Sequence, residues 1–374
     1  MCGISLYGIN ESRKTQFIFM VILSTVIFGV IGFVLISLMQ IVSMQSFAKE
    51  TAHKHGIAEM QSSRLGGAAT ILGGIFVLYF LDLTGRQADG NGPLNIDWLA
   101  WIPVIGCMAL GLIEDVRNQS LSPTFRLLIK LLIFGFVLLQ WPELAPNSVG
   151  IPILDSFLSI PLLGFIMTLV FCVGFLNAVN MADGANGLVS GIAVLSFTIF
   201  VNEFDGLGFV AILITCSVFL IFNVISGRLF LGDAGSYGLG ASLLMTSLVL
   251  YSEGMASLSF LAALLSYPCV DFLVTIVRRL VKGTPIMRPD NNHLHNHVHH
   301  WYRKVFKSKN IANSASGLSI AAASSGTVLF GYYANWWPMT SDQWIWVFFS
   351  QCGLYLVTYY FTRRTSSVNK SAEL

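Results

Sequence analysis

The chain of 374 residues is 55% apolar and only 11% charged, with a formal net charge of +2 and a mean hydropathy of +0.71. Soluble globular chains carry about 25% charged residues, so this balance excludes a large soluble enzyme, and the net charge is too small to suggest nucleic-acid binding. It predicts an all-α, polytopic transmembrane bundle of about 10–11 spans, since each crossing takes roughly 20 apolar residues plus a loop.

Taken in chain order, apolar runs predict spans near 16–40, 65–83, 98–113, 124–141, 160–179, 188–202, 207–225, 238–252, 257–280, 312–334 and 343–361. The first run is too long for the apolar stretch of a signal peptide and lacks a small-x-small cleavage site, so it reads as a span. Segment 149–160, with Pro152 and rough alternation, reads as an extended excursion. Asp89-Gly-Asn-Gly-Pro reads as a turn, and Gly66-Gly67 and Gly73-Gly74 as sites of close helix packing. Six cysteines lie scattered, mostly inside apolar runs and without a CxxC pair, which suits packing rather than a disulfide frame or zinc site. No soluble module or transporter-type repeat is evident, so residues 1–374 read as a single integral-membrane domain.

Lys and Arg set the orientation. Alternate loops carry Lys49, Lys54, Arg64, Arg117, Arg126, Lys130, Arg228, Arg278, Arg279, Lys282, Arg288 and the basic residues after them, whereas the other side holds Arg13, Lys14 and Arg86. The positive-inside rule assigns the rich side to the cytoplasm. Eleven spans then put the N-terminus outside, with Arg13 and Lys14 pulling the other way.

Every polar motif falls on that cytoplasmic side. His53-Lys-His55 leads to Ser62-Ser63-Arg64-Leu-Gly66-Gly67, where an Arg at a helix start can meet a phosphate or simply anchor the helix at the interface. Glu114-Asp115, followed by Arg117 and by Ser122-Pro123-Thr-Phe-Arg126-Leu, ends a span with adjacent carboxylates. These suit a metal site or general base, or else a solvated end paired with Arg117. Ser122-Pro123 reads as the cap and first turn of the next helix.

The block Asn177-Ala-Val-Asn180-Met-Ala-Asp183-Gly184-Ala-Asn186-Gly187-Leu188 places four polar side chains where a helix C-cap would need at most a glycine. Gly232-Asp233-Ala-Gly235-Ser236 exposes a carboxylate between glycines, as a Mg²⁺ ligand beside a diphosphate requires; an Asp turn before a helix is the plain alternative. It is not a Walker A loop, because the Gly-Lys-Ser/Thr ending is missing. Last come Pro268-Cys-Val-Asp271, Arg278-Arg279 and Arg288-Pro-Asp290-Asn-Asn-His293-Leu-His295-Asn-His297-Val-His299-His300. Transition-metal binding by these histidines is the rival to an anion-recognising loop, which the neighbouring Arg and Lys favour.

These five blocks, in this order over roughly residues 45–310, resemble the polyprenyl-phosphate N-acetylhexosamine-1-phosphate transferase family. The specific ones are Glu114-Asp115 with Leu-Ser-Pro-x-x-Arg-Leu, Asn-x-x-Asn-x-x-Asp-Gly-x-x-Gly-Leu, Gly-Asp-x-Gly-Ser, and Asp290-x-x-His293-x-His295. The resemblance implies transfer of a sugar 1-phosphate from a UDP-N-acetylhexosamine to undecaprenyl phosphate, releasing UMP. It implies a multi-pass protein of the bacterial inner membrane that starts a surface glycan such as O-antigen or capsule, and allows a homodimer.

By the same resemblance, Asp233 holds Mg²⁺, with Mn²⁺ as a substitute, together with Asn180. Glu114 and Asp115 assist the attacking lipid phosphate, by accepting its proton or organising the metal region, and Asp183 orients the nucleotide region. Arg288, His293 and His295 contact sugar or diphosphate, Asn177 and Asn186 belong to the substrate-binding block, and Arg64 is a looser phosphate contact. Direct attack is favoured over a covalent enzyme intermediate, because the lipid phosphate is already largely ionised at neutral pH.

Two positions depart from the common pattern: Glu114 stands where many relatives have Asp, and Asn186 where many bacterial relatives have a second Asp. An amide offers both donor and acceptor to a uracil edge. The triple-His pattern of the peptidoglycan-precursor branch is absent, which leaves phospho-N-acetylmuramoyl-pentapeptide transfer as the alternative activity. The rival from another class is a secondary transporter or metal exporter built on the histidine loop, for which Asp82 and Asp271 are the acidic residues within spans. A catalytically dead scaffold is disfavoured because Asp115, Asp183 and Asp233 are all present.

Overall fold

The computed structural model describes residues 11–45, 49–50, 62–83, 98–117, 121–203, 206–285 and 290–365. His53, His55, the 89–93 turn and Arg288 lie outside the described residues. Each of the eleven apolar runs becomes a helix or a broken pair of helices, because in lipid only internal pairing satisfies the backbone.

Helix α1 (Glu11–Ser43) bends at Gly29, and a two-residue ladder pairs β1 (Lys49–Glu50) antiparallel with β2 (Ser62–Ser63). Then follow α2 (Gly66–Leu83), α3 (Trp101–Val116), α4 (Pro123–Gln140), α5 (Pro152–Leu158), α6 (Pro161–Ala182), α7 (Leu188–Glu203), α8 (Leu207–Ser226) and α9 (Gly232–Ser252). The C-terminal part holds α10 (Leu258–Leu264), α11 (Ser266–Val281), α12 (Leu294–Tyr302), α13 (Lys309–Ala321), a π-helical turn, α14 (Thr327–Tyr333) and α15 (Trp344–Thr365).

By length and hydropathy alone, five helices are fit to cross a membrane: residues Thr15–Ser43 of α1, and α4, α6, α8 and α9. The pair α10–α11, bent by 80°, makes a sixth, and α2 and α7 are shorter apolar helices. The remaining predicted spans are shorter (α3) or richer in Ser, Asn, Trp and Tyr (α13–α14, α15). Large apolar side chains such as Val26, Leu139, Val170 and Val281 are exposed on the outer helices, as lipid-facing positions must be.

The excursion expected to be extended at 149–160 is instead helix α5. Pro152 occupies its first position, where no N–H is needed, and Asp155 turns back to accept the Val149 amide at 2.6 Å and the Ser148 hydroxyl at 2.9 Å.

Helix α9 is the centre of the bundle, with 94% of its span buried, whereas α1 and α4 are 22% buried and line the outside. Its small residues let neighbours approach closely. Gly111 of α3 lies so near the start of α9 that a Cβ there would sit 2.4 Å from the Asp233 carbonyl. Ser63 runs parallel to the segment before α9: its amide donates to the Arg228 carbonyl at 3.0 Å, and its carbonyl accepts from Phe230 at 2.8 Å. These contacts bring the start of α2, the end of α3 and the start of α9 to one place.

Candidate active site

The ends of α2, α3, α4, α6 and α9 converge on one polar network. Asp233 opens α9 just after Gly232, whose φ of +72° and neighbours 2.2 Å from a hypothetical Cβ admit only glycine. The first amides of α9 have no cap from their own segment. Asp115, from α3, supplies it: one carboxylate oxygen accepts the Asp233 N–H at 3.0 Å and the other the Ala234 N–H at 2.8 Å. Arg64 completes the arrangement, with a guanidinium nitrogen 3.2 Å from Asp115 and 3.6 Å from Asp233. Asp115 is therefore a fully buried inter-helix cap as well as a charge.

The Asp233 carboxylate faces cations and amides. Arg126 donates to Oδ2 at 3.1 Å, and the Asn180 side-chain amide donates to Oδ1 at 3.0 Å and to the Ser236 hydroxyl at 2.8 Å. Glu114 accepts the Leu121 amide at 3.0 Å through one oxygen; the other lies 3.6 Å from Arg126, buried and without a hydrogen-bond donor. Ser122 caps α4 as its sequence predicts, accepting the Phe125 amide at 3.2 Å with Pro123 in the first turn. That cap aims Arg126 and Lys130 along one face of α4. The Lys130 ammonium is buried, donates to the Asn177 side-chain oxygen, and lies 4.2 Å from the centre of the Tyr237 ring.

The histidine segment, expected as a loop, is instead helix α12 from Leu294 onward with His293 at its N-cap, and it forms a second cluster. Asp290 takes both oxygens to Arg278 at 3.0 Å, with Arg279 at 3.1 Å and the Asn292 amide at 2.9 Å. Burial alone would raise Asp290, yet the Asn292 amide and the Arg278 guanidinium hold its carboxyl below the usual carboxylate range. His293 bonds through Nδ1 to Asp271 at 2.7 Å, and His295 through Nδ1 to the Tyr267 hydroxyl at 3.0 Å. Their rings stack in parallel with centroids 5.4 Å apart.

Burial, with His293 beside it, pushes His295 down to about 3. Burial likewise lowers His297 and His299 to about 4, helped by Arg363 and His300 respectively. These rings are neutral at physiological pH. Among the described residues no group of three or more His, Cys, Asp or Glu is arranged to hold a metal.

The two clusters meet at the turn after α6. Gly184 lies directly against the His295 ring, with Nε2 2.1 Å from where a Cβ would stand. Asp183, half-buried, caps α6 immediately before it.

The structure thus brings Arg64, Glu114, Asp115, Asn180 and Asp233 together, links Asn177 to them through Lys130, and sets Gly184, the residue after Asp183, against the His295 ring that stacks on His293. Asn186 is elsewhere: its amide nitrogen donates to Asn310 at 2.9 Å and Ser314 at 3.4 Å, sewing the loop onto α13. Sequence reasoning did not name Arg126, Lys130, Tyr267 or Ser236 as site residues. Arg126 and Lys130 had a signal, since two cations one turn apart on an otherwise apolar helix require partners.

Residues 98–251 match the family model for glycosyl transferase family 4. Over 291 residues, 72% of this chain and 76% of the relative, the sequence is 28% identical to the probable undecaprenyl-phosphate N-acetylglucosaminyl 1-phosphate transferase of Bacillus subtilis (strain 168). It is 24% identical over 243 residues, 62% of this chain and 73% of the relative, to the phospho-N-acetylmuramoyl-pentapeptide-transferase of Clostridium perfringens (strain SM101 / Type A). The protein of that name from Staphylococcus aureus (strain JH9) is 29% identical over 251 residues, 62% of this chain and 77% of the relative.

Proposed function

We propose that this chain, a multi-pass membrane enzyme belonging to glycosyl transferase family 4, transfers an N-acetylhexosamine 1-phosphate from its UDP-sugar to undecaprenyl phosphate. An oxygen of the lipid phosphate attacks the phosphorus that bears the sugar, the bond to UMP breaks, and a polyprenyl-diphosphate sugar forms. The observation that carries this reading is the Asp233 carboxylate at the start of α9, with Arg64, Arg126 and Asn180 within 3.6 Å of it. Phosphoryl transfer needs charge neutralisation and alignment above all, and this cluster is made for both.

Arg64 and Arg126 neutralise the diphosphate, and Lys130 holds the Asn177 amide in place beside them. Glu114, with one buried oxygen lacking a donor, is the group able to accept a proton from the lipid phosphate. Asp115 keeps the first amides of α9 in register. Asp183 and the stacked pair His293 and His295 border the sugar and nucleotide.

The chemistry of the donor set at Asp233 suits Mg²⁺, or Mn²⁺ in its place: the Asp233 carboxylate and the side-chain oxygen of Asn180 are hard ligands, and such an ion takes one or two protein oxygens and completes its shell with phosphate and water. Arg126 and the Asn180 NH₂, which now face the carboxylate at 3.1 and 3.0 Å, would turn away to admit it. Bound there, it would neutralise charge developing on the diphosphate.

The basic ends of α2, α4 and α11 accompany the site, which supports its facing the cytoplasm of a bacterial inner membrane. The polar groups gather at helix ends, and Asp271 bonds to the histidine segment at 2.7 Å, an arrangement that favours this reading over transport through a midplane site.

Purified enzyme in detergent should release UMP from a UDP-N-acetylhexosamine only with undecaprenyl phosphate and Mg²⁺ present. Asp233→Ala should reduce turnover by at least ~10²-fold, and unchanged turnover would sink the assignment. A panel that includes UDP-N-acetylglucosamine, UDP-N-acetylgalactosamine and UDP-N-acetylmuramoyl-pentapeptide separates the surface-glycan reading from the peptidoglycan one.

A further inference from the structure

Asp271 is a carboxylate buried in the apolar bent helix α11, 1% exposed, where an unpartnered charge would be costly. It has three donors. Oδ2 meets His293 Nδ1 at 2.7 Å, while Oδ1 accepts the Leu294 amide at 3.1 Å and the Tyr355 hydroxyl at 2.8 Å. Tyr355 belongs to α15, a helix far outside the matched region 98–251. The neighbouring turn of α15 adds Tyr359, whose hydroxyl donates to the Asn292 side chain at 3.2 Å.

A tether for the segment would need only the Leu294 amide. The imidazole contact does more, because an ionised carboxylate can only accept. With Asp271 ionised, Nδ1 of His293, which the Thr275 hydroxyl also approaches at 3.4 Å, carries a proton, and Nε2 is the atom left for another partner. The Asp290 carboxylate is 3.8 Å from Nε2, beyond hydrogen-bond distance. The parallel stack on His295, itself fixed by Tyr267, restrains the plane of the ring.

Tyr267, Leu294 and Tyr355 border a cavity of about 500 Å³ whose walls are mainly apolar. In such surroundings a hydrogen bond to a carboxylate is strengthened.

We propose that Asp271 and Tyr355 are positioning residues of the transfer site: they hold His293 Nδ1 so that Nε2 is presented to the sugar-diphosphate substrate, making α15 part of the active centre. The identity of that substrate rests on the function proposed above; the geometry of the ring does not.

The test uses the full-length chain labelled with ¹⁵N-histidine and reconstituted in lipid. Solid-state NMR, with His293→Gln to identify the signals, should find His293 protonated at Nδ1. Asp271→Asn, whose amide can turn its NH₂ toward Nδ1, should move the proton to Nε2. In the UMP-release assay Asp271→Asn should lower kcat/KM by about 10–100-fold, and Tyr355→Phe by less. Neither loss should add to that of His293→Gln.

A tautomer unchanged in Asp271→Asn, or losses that add to His293→Gln, would overturn the proposal. If Asp271→Asn does not fold, additivity of Tyr355→Phe with His293→Gln decides. A tautomer that responds as expected in a chain releasing no UMP would leave the positioning intact and overturn the function.

Discussion

At the scale of the residue, the acidic side chains of the site divide by what their oxygens already hold. Asp115 accepts two backbone amides and pairs with Arg64, so its substitution unbuilds the start of α9. Asp115→Asn keeps one acceptor of two and should lower stability by about 1–3 kcal/mol, read as a fall in melting temperature in detergent. Asp233→Asn leaves the capped amides of α9 in place and keeps one carboxylate-position acceptor for Arg126 or Asn180, so it should lower the melting temperature less than Asp115→Asn while abolishing UMP release. Equal destabilisation by both would count against the division of roles. Asn186 makes a related point from the other side. Its amide answers Asn310 and Ser314, which gives a packing reason for an amide where many relatives carry an acid.

At the scale of the element, the site depends on how closely α9 meets its neighbours. Gly111→Ala would drive a methyl into the Asp233 carbonyl, 2.4 Å away. It should cost about 1–3 kcal/mol by overpacking and displace Asp233, with kcat falling more steeply than stability. Gly135, in the middle of α4, has nothing within 4 Å of its hypothetical Cβ. Gly135→Ala should leave turnover unchanged and stabilise the helix by about 0.5–1 kcal/mol. If the two variants behaved alike in thermal melts and in the UMP assay, close approach of α3 and α9 would not be what orders the site.

Hydropathy located most of these helices to within a few residues, because lipid imposes the same demand on every span, but it began the central one at 238, after the glycines and Asp233 with which α9 (Gly232–Ser252) opens. Segment 149–160 was misjudged: Pro152 and rough alternation suggested an extended excursion, whereas Pro152 is a helix start stabilised by a side chain three residues on.

At the scale of the whole molecule, the histidine segment couples stability to acidity. Folded, His295 resists protonation until about pH 3 because it is buried, whereas an unfolded histidine protonates near 6.5. Between those values the unfolded chain binds the extra proton, so this contribution is fully present above about pH 6.5 and is lost as pH falls. The loss from His295 approaches about 1.4 kcal/mol per pH unit. Melting curves in detergent between pH 7.5 and 5 should decline on the acid side, and less so in His295→Gln. A flat profile would mean that the ring is not buried as the fold has it.

The sequence by itself determined that this is a helical membrane protein, where its apolar helices run, and which polar blocks stand out from them. Composition and hydropathy are properties of local segments, and lipid leaves them few outcomes. Only the tertiary structure decided the partners: Asp115 as the cap of α9, Arg126 and Lys130 as the cations of the site, Asn186 turned toward α13, and Asp271 joined to His293 and Tyr355. The reason is physical. A buried polar atom must be satisfied, but which atom satisfies it depends on which helix ends converge, and these partners lie up to 128 residues apart along the chain.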